Sequence, residues 1–176
     1  MCTGLGHTEH VRLLLIADTH VPKRARRLPE QVWREVESAD LVVHAGDWVV
    51  PELLDELQGR SSRLLACYGN NDGPELRRRL PEVAGAVVEG VRVGVVHETG
   101  QSRGRDARMR VAYPDLDLLV FGHSHIPWDS GIEGLRLLNP GSPTDRRREP
   151  HCTYMTLTLE ADRIGDVELH RLPSRT

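Results

Sequence analysis

Aromatic residues are scarce in this chain: one Phe, three Tyr and three Trp, 4% of 176 residues. The buried surface must therefore come mainly from Val and Leu. Cys2, Cys67 and Cys152 are odd in number and form no close pair, which argues against a disulfide framework and against a thiolate zinc site. Neither sign of charge predominates. With 23 Lys and Arg against 26 Asp and Glu, the formal charge is -3 and the pI about 6.3, so nucleic acid is not indicated as a partner. No long hydrophobic run exists near the N-terminus: Leu13 to Ala17 falls far short of the ~20 residues of a membrane span. The chain is accordingly read as cytoplasmic, without membrane contact. The phosphate-loop pattern G-x-x-x-x-G-K-[ST] and the dinucleotide pattern G-x-G-x-x-G are both absent.

What remains is a mixture of 39% apolar and 28% charged residues, able to bury a core and stay in solution. The length suits one domain, and two independent catalytic modules do not fit. Residues 1–10 show no periodicity and read as a flexible leader, with residues 11–176 as a single domain. Arg12 to Ala17 reads as a buried strand, Leu28 to Ala39 as a helix, Leu41 to Val43 as a strand, Pro51 to Leu57 as a helix and Leu64 to Cys67 as a strand. This alternation implies a parallel sheet with right-handed crossovers. A helical stretch at Glu75 to Leu80 precedes Ala86 to Val88 and Val91 to Val96, which flank Glu89-Gly90 as a hairpin would. Arg103 to Ala112 reads as a helix and Leu116 to Phe121 as a buried strand. Leu135 to Leu138, Tyr154 to Leu159 and Val167 to Leu172 alternate like antiparallel strands with one wet face.

Nine histidines are many for this length, and their placement matters more than their number. Immediately after the expected strands stand Asp18 and His20, then His44 and Asp47, then Asn70 and Asp72, then His97, then His123 and His125. Ligands of open α/β sheets bind beyond the carboxyl ends of strands, so these side chains share one rim. Carboxylate, imidazole and amide oxygen suit a hard-to-borderline divalent ion, with no thiolate among them. Asp18, His20, Asp47, Asn70, His97, His123 and His125 exceed the needs of one four-coordinate ion. They suit two ions ~3.5–4 Å apart sharing a carboxylate. With two divalent cations, Asp18, Asp47 and a hydroxide, the pocket keeps roughly one positive charge, which favours a phosphate ester.

The blocks Asp18-Thr19-His20, Gly46-Asp47, Gly69-Asn70-Asn71-Asp72, Val96-His97 and Gly122-His123-Ser124-His125 resemble the calcineurin-like metallophosphoesterase superfamily, in the right order. The compact length, Val43-His44-Ala45-Gly46-Asp47 and Leu138-Asn139-Pro140-Gly141-Ser142 look like the small phosphodiesterases of the YfcE type. That resemblance covers Arg12 to about Leu172 and implies an α/β fold, a four-layer α/β/β/α sandwich with two mixed β-sheets, as in Vps29-like proteins. It also implies Asp18, His20, Asp47 and His125 on one ion and Asp47, Asn70, His97 and His123 on the other. Asp47 would be the bridge, and the attacking species a metal-bridging hydroxide.

The resemblance makes a metal-dependent phosphoesterase the expectation, with phosphodiesters favoured over monoesters. Asp47, Asn70 and His97 are expected to carry catalysis, and the family commonly uses Mn2+ while accepting Ni2+, Fe2+ or Zn2+. His44, Asn71, Asp72, Gly141 and Ser142 are expected behind the ligands or along the substrate pocket. Many relatives carry histidine where this chain has Asn71, an amide that cannot protonate a leaving group at pH 7, so weak activity on poor leaving groups is expected. A second departure is His97-Glu98-Thr99, where the pattern often reads His-Gly-His. Arg24, Arg26 and Arg27, the arginines between Arg103 and Arg110, and Arg146 to Arg148 read as solvated faces by default. Trp33 reads as core, whereas Trp48 and Trp128 are candidates for pocket walls. The rival readings are a Vps29-like protein-binding scaffold and a metal-binding regulator with little hydrolysis; a homo-oligomer is left open.

Overall fold

The computed structural model describes residues 10–173. The expected leader therefore lies, apart from the exposed His10, outside the described residues. Strands β1 (Val11–Ile16), β2 (Leu41–Ala45) and β3 (Leu64–Cys67) run parallel and are joined by α1 (Glu30–Ser38) and α2 (Pro51–Arg60). Proline opens both helices, at Pro29 and Pro51, where its missing N–H costs no intrahelical bond. After α3 (Pro74–Arg79) the chain crosses to a second sheet through the hairpin of β4 (Val83–Val88) and β5 (Val91–Val96). Glu89 and Gly90, both at positive φ, make its two-residue turn. Helix α4 (Arg105–Ala112), β6 (Leu118–Val120), β7 (Trp128–Ile132) and β8 (Leu135–Asn139) complete that sheet. Finally β9 (Thr153–Glu160) and β10 (Arg163–Arg171) return to the first sheet.

The two five-stranded sheets have the orders β10-β9-β1-β2-β3 and β4-β5-β6-β8-β7, and both are mixed. Side-chain alternation along β1 shows how they stack. Leu13, Leu15 and Ala17 face Val93, Val95, Leu118, Val120 and Leu138 between the sheets. Leu14 and Ile16 face the other way, onto Val32, Trp33 and Val36 of α1 and Leu53, Leu54 and Leu57 of α2. On the far side of the second sheet, Leu119, Phe121 and Leu137 pack with Met109 of α4. The layers are thus helix, sheet, sheet, helix.

Several expectations need correction. The helix expected from Leu28 begins at Glu30, because Pro29 precedes it in non-helical backbone with ψ 145°. The strand expected over Leu116 to Phe121 is only Leu118–Val120. Strand β7 was not foreseen: Trp128-Asp129-Ser130-Gly131-Ile132 lacks a strand-like apolar run and sits at the sheet edge, where one antiparallel partner suffices. Strand β8 is not purely antiparallel, since it pairs parallel with β6 as well as antiparallel with β7. Nor does β9 have a wet face. It lies between β1 and β10, and Tyr154 joins the helix-side core while Met155, Leu157 and Leu159 fill the core between the sheets.

Candidate metal centre

The carboxyl ends of β1, β2 and β3 from one sheet and of β5 and β6 from the other converge on one edge of the sandwich. Each strand is followed by a tight reversal. Asp18, His20, Asp47, His123 and His125 all take left-handed backbone, with φ of 53°, 44°, 62°, 70° and 60°. Such a conformation costs a non-glycine residue roughly 1–2 kcal/mol and persists only where its surroundings impose it. Hydrogen bonds between the reversals impose it here: Asp18 N–H to the Gly46 carbonyl, His20 N–H to the Asp47 carbonyl and Gly122 N–H to the His97 carbonyl, each 3.0 Å.

These turns bring the side chains together. His20 Nε2 lies 3.2 Å from His125 Nε2, which is 3.6 Å from Asp18 Oδ1. A second group forms around Asn70 Oδ1, which is 2.9 Å from His97 Nε2 and 3.0 Å from His123 Nδ1. Asp47 spans the two, with Oδ2 3.4 Å from His20 Nε2 and Oδ1 3.4 Å from His97 Nε2. Asp18, His20, Asp47, His97 and His125 are buried, whereas Asn70 is exposed and His123 half-exposed at the mouth.

The chemistry of this cluster is decided by where protons can sit. The other ring nitrogens of His97 and His125 are each 2.7 Å from a carbonyl oxygen, of Ala45 and Asp145 respectively. A carbonyl only accepts, so each Nδ1 carries the hydrogen and each neutral ring presents a lone pair at Nε2. Burial keeps them neutral, lowering the His20 and His97 pKa values and bringing His125 to about 4. His97 Nε2 then faces Asn70 Oδ1 and Asp47 Oδ1, acceptor against acceptor. Such contacts repel unless a cation lies among them. Asp18 adds a fully buried carboxylate whose Oδ2 has no hydrogen-bond partner among the described residues. Burial first, and then the charge of Asp47, raises its pKa well above the usual carboxylate range. For Asp47 burial acts upward, but His97, two hydrogen bonds from Asn71 and His20 together bring its pKa below the usual value. Asp18, His20 and His125, and likewise Asp18, Asp47 and His97, each offer ligand atoms within 4.8 Å of one another. Imidazole nitrogen, carboxylate oxygen and amide oxygen fit borderline divalent ions.

The residues behind the cluster hold it in shape. Asp72 does not touch a histidine; its carboxylate accepts from the amides of Gly69 (2.7 Å), Val49 (2.8 Å) and Asp47 (3.1 Å). Asn71 points inward, donating its backbone N–H and side-chain amide to Asp47 at 2.9 and 2.7 Å. His44 reaches no ligand atom. Its ring accepts from Gly46 N–H at 3.2 Å, meets Thr19 Oγ1 at 3.1 Å and stacks on Trp48. Gly141 and Ser142 are buried rather than pocket-lining, and Ser142 Oγ donates to the Asp18 carbonyl at 2.7 Å. Gly69 must be glycine, because a Cβ there would fall inside van der Waals contact of the Asp47 carboxylate and amide.

Trp48 is no pocket wall: it is fully buried in the helix-side core, donating to the Cys67 carbonyl at 2.9 Å. Trp128 is half-buried over the Arg105 guanidinium, and Trp33 is core as expected. Arg24, Arg26, Arg27 and Arg146 line an open groove of about 1170 Å³ beside the site. Sequence reasoning missed Arg77, whose guanidinium binds the carbonyls of Gly69, Asn70 and Asp72 at 3.1, 3.3 and 2.7 Å. Nothing in the string marks it among three consecutive arginines. The sequence expectation that no G-x-S-x-G nucleophile pattern is present is wrong as to the string, since Gly100-Gln101-Ser102-Arg103-Gly104 spells it. Ser102 is exposed, well beyond the end of β5, and no histidine contacts its hydroxyl among the described residues, so the string is not a nucleophile elbow.

The calcineurin-like phosphoesterase superfamily domain matches residues 11–162. The chain belongs to that superfamily. A probable metallophosphoesterase of Methanothermobacter thermautotrophicus is 33% identical over 160 residues, covering 89% of this chain and 90% of that protein. A second relative, the phosphodiesterase MJ0936 of Methanocaldococcus jannaschii, is 20% identical over 157 residues, covering 83% and 87%. The crystal structure of zinc-complexed Vps29 from Entamoeba histolytica superposes with a TM-score of 0.72 at 22% identity, covering 92% of this chain and 98% of the other. At that identity the likeness is one of fold. Membership accounts for the four-layer architecture and for the family's association with divalent metals.

Proposed function

We propose that this phosphoesterase-family chain is a two-metal hydrolase acting on phosphodiesters in preference to monoesters. The observation that supports the reading is the convergence of the Nε2 lone pairs of His97 and His125 with the oxygens of Asn70, Asp47 and Asp18, acceptor against acceptor, a repulsion that bound cations would relieve. Asp18, His20, Asp47 and His125 would hold one ion, and Asp47, Asn70, His97 and His123 the other. Mn2+ is the first candidate, with Ni2+, Fe2+ and Zn2+ as alternatives. Bound ions would supply an activated water at neutral pH and polarise the phosphoryl oxygens.

The chain's own residues do the rest. Asp47 presents one oxygen to each group, oriented by Asn71. The carbonyls of Ala45 and Asp145 fix the tautomers of His97 and His125. Asn71 is turned toward Asp47 and carries no titratable proton, so the departing oxygen gets no acid from that position. Substrates whose leaving groups depart without protonation are therefore favoured. A protein-binding scaffold, the reading closest to the Vps29 fold likeness, leaves the converging acceptors without a purpose.

The test is turnover, in added Mn2+, of an activated aryl phosphodiester, an aryl monoester and 2′,3′-cyclic nucleotides, beside Asp47→Asn and His123→Ala. Diester turnover above monoester turnover, lost in both variants, is expected. Wild-type turnover no greater than that of the variants removes the hydrolase reading, and a single bound ion per chain at saturation removes the paired-ion form.

A further inference from the structure

The loop between β8 and β9 carries an arginine that the ligand set does not use. Arg147 stands in left-handed backbone, φ 47°, in a turn closed on both sides. Its N–H donates to Asp145 Oδ1 at 3.2 Å, the Glu149 N–H donates to the Arg146 carbonyl at 2.8 Å, and Arg146 Nη1 returns to the Glu149 carbonyl at 2.8 Å. The turn is anchored to the metal centre. Asp145 N–H donates to Ser142 Oγ at 2.9 Å, and the Asp145 carbonyl is the oxygen that fixes the His125 tautomer at 2.7 Å. A strained, firmly held backbone beside a site points to a positioned side chain.

That side chain reaches back to the His123 backbone at the mouth of the site. Arg147 Nη1 donates to the His123 carbonyl at 3.4 Å, a long bond that leaves most of its five donors unused. Among the described residues the Asp145 carboxylate pairs with Arg24 at 3.3 Å and takes the backbone N–H of Arg147, forming no ion pair with the Arg147 guanidinium.

We infer that Arg147 is a phosphate-binding catalytic residue, its guanidinium taking non-bridging oxygens of a phosphoryl group seated at the metal centre. The inference rests on the two-metal reading above. Arginine suits this task because its planar fork matches phosphate oxygens in pairs and its charge persists at any working pH. It stabilises charge that grows on those oxygens during displacement, and it donates no proton to the leaving group. Arg147 thus complements the Asn71 position, where an acid is missing, without replacing it.

The test compares wild type with Arg147→Ala, Arg147→Lys and Arg148→Ala, the last removing a neighbouring exposed cation of the same loop. Binding of inorganic phosphate to the Mn2+-loaded chain is measured by calorimetry, together with bound manganese, thermal transition and kcat/KM on the aryl diester. Arg147→Ala is expected to weaken phosphate binding by about tenfold or more, with manganese content and melting unchanged. Lysine is expected to restore only part, and Arg148→Ala to stay within about twofold of wild type. Phosphate affinity unchanged in Arg147→Ala overturns the inference, as does an equal loss in Arg148→Ala or a loss of bound manganese in Arg147→Ala. If wild type hydrolyses no ester while Arg147→Ala still loses phosphate, the hydrolase reading fails and the phosphate site stands.

Discussion

Replacing Asp18 by Asn should stabilise the metal-free chain and destroy its response to metal. Asp18 is fully buried; Oδ1 accepts the His123 N–H at 3.1 Å and Oδ2 has no partner among the described residues. Its raised folded pKa means that the folded chain binds this proton more tightly than the unfolded chain does. Without metal, its contribution to stability therefore falls as pH rises through that folded pKa and is least favourable at neutral pH. Asparagine keeps the Oδ1 acceptor, occupies the same volume and removes the charge. A buried carboxylate oxygen without a hydrogen-bond donor carries a desolvation cost that the neutral amide lowers, by about 1–3 kcal/mol. A gain of about 2 kcal/mol raises Tm by roughly 4–8 °C in a chain of this length. Metal reverses the order. An ion at a hundred times its Kd adds about 2.7 kcal/mol per site to wild type, whereas Asp18→Asn lacks the anionic ligand. Melting curves in chelator and in excess Mn2+ measure both effects. Asp18→Asn melting below wild type in chelator, or gaining as much from Mn2+, refutes the argument that this carboxylate is kept for a cation.

Asp72→Ala exposes three backbone N–H groups to a site where each lost bond is worth about 1–3 kcal/mol. With entering water satisfying some of them, urea unfolding should report a loss of about 3–5 kcal/mol, and calorimetry a weaker affinity for Mn2+. Gly69→Ala forces a methyl against Asp47, so at least the roughly 1–3 kcal/mol of an overpacked site is lost, with bound manganese falling by elemental analysis. Gly59→Ala is the contrasting case, since nothing lies within 4 Å of its new Cβ in α2. Chemical denaturation should show a gain of about 0.5–1 kcal/mol there. Trp48→Phe leaves the Cys67 carbonyl unpaired inside the core, and a loss of about 1–3 kcal/mol is expected by the same unfolding assay.

Much of the fold was legible because the strands under both layers are continuous apolar runs. Leu64 to Cys67 and Val91 to Val96 are strands with the expected bounds. What could not be read depends on neighbours. The short edge strand β7 exists because β8 offers it a ladder, and Tyr154 of β9 is buried because the helix layer covers that face. The same holds for the supporting residues. Asp72, Ser142 and Arg77 look like any turn or surface residues until the structure shows which backbone groups they satisfy.

The order and chemistry of the residues by themselves determined the fold class, the family resemblance and the set of side chains that follow the strands. Strand ends must share a rim when parallel strands alternate with helices, and only certain atom types suit divalent ions. The tertiary structure decided what each of those side chains does. It turned Asn71 inward onto Asp47, buried His44 and Trp48 behind the site, left Asp18 Oδ2 without a partner among the described residues and brought Arg147 to the His123 carbonyl. Those outcomes rest on distances between segments far apart in the chain. Local propensity carries no information about which carbonyl holds the proton of His125, or which buried oxygen is left without a donor.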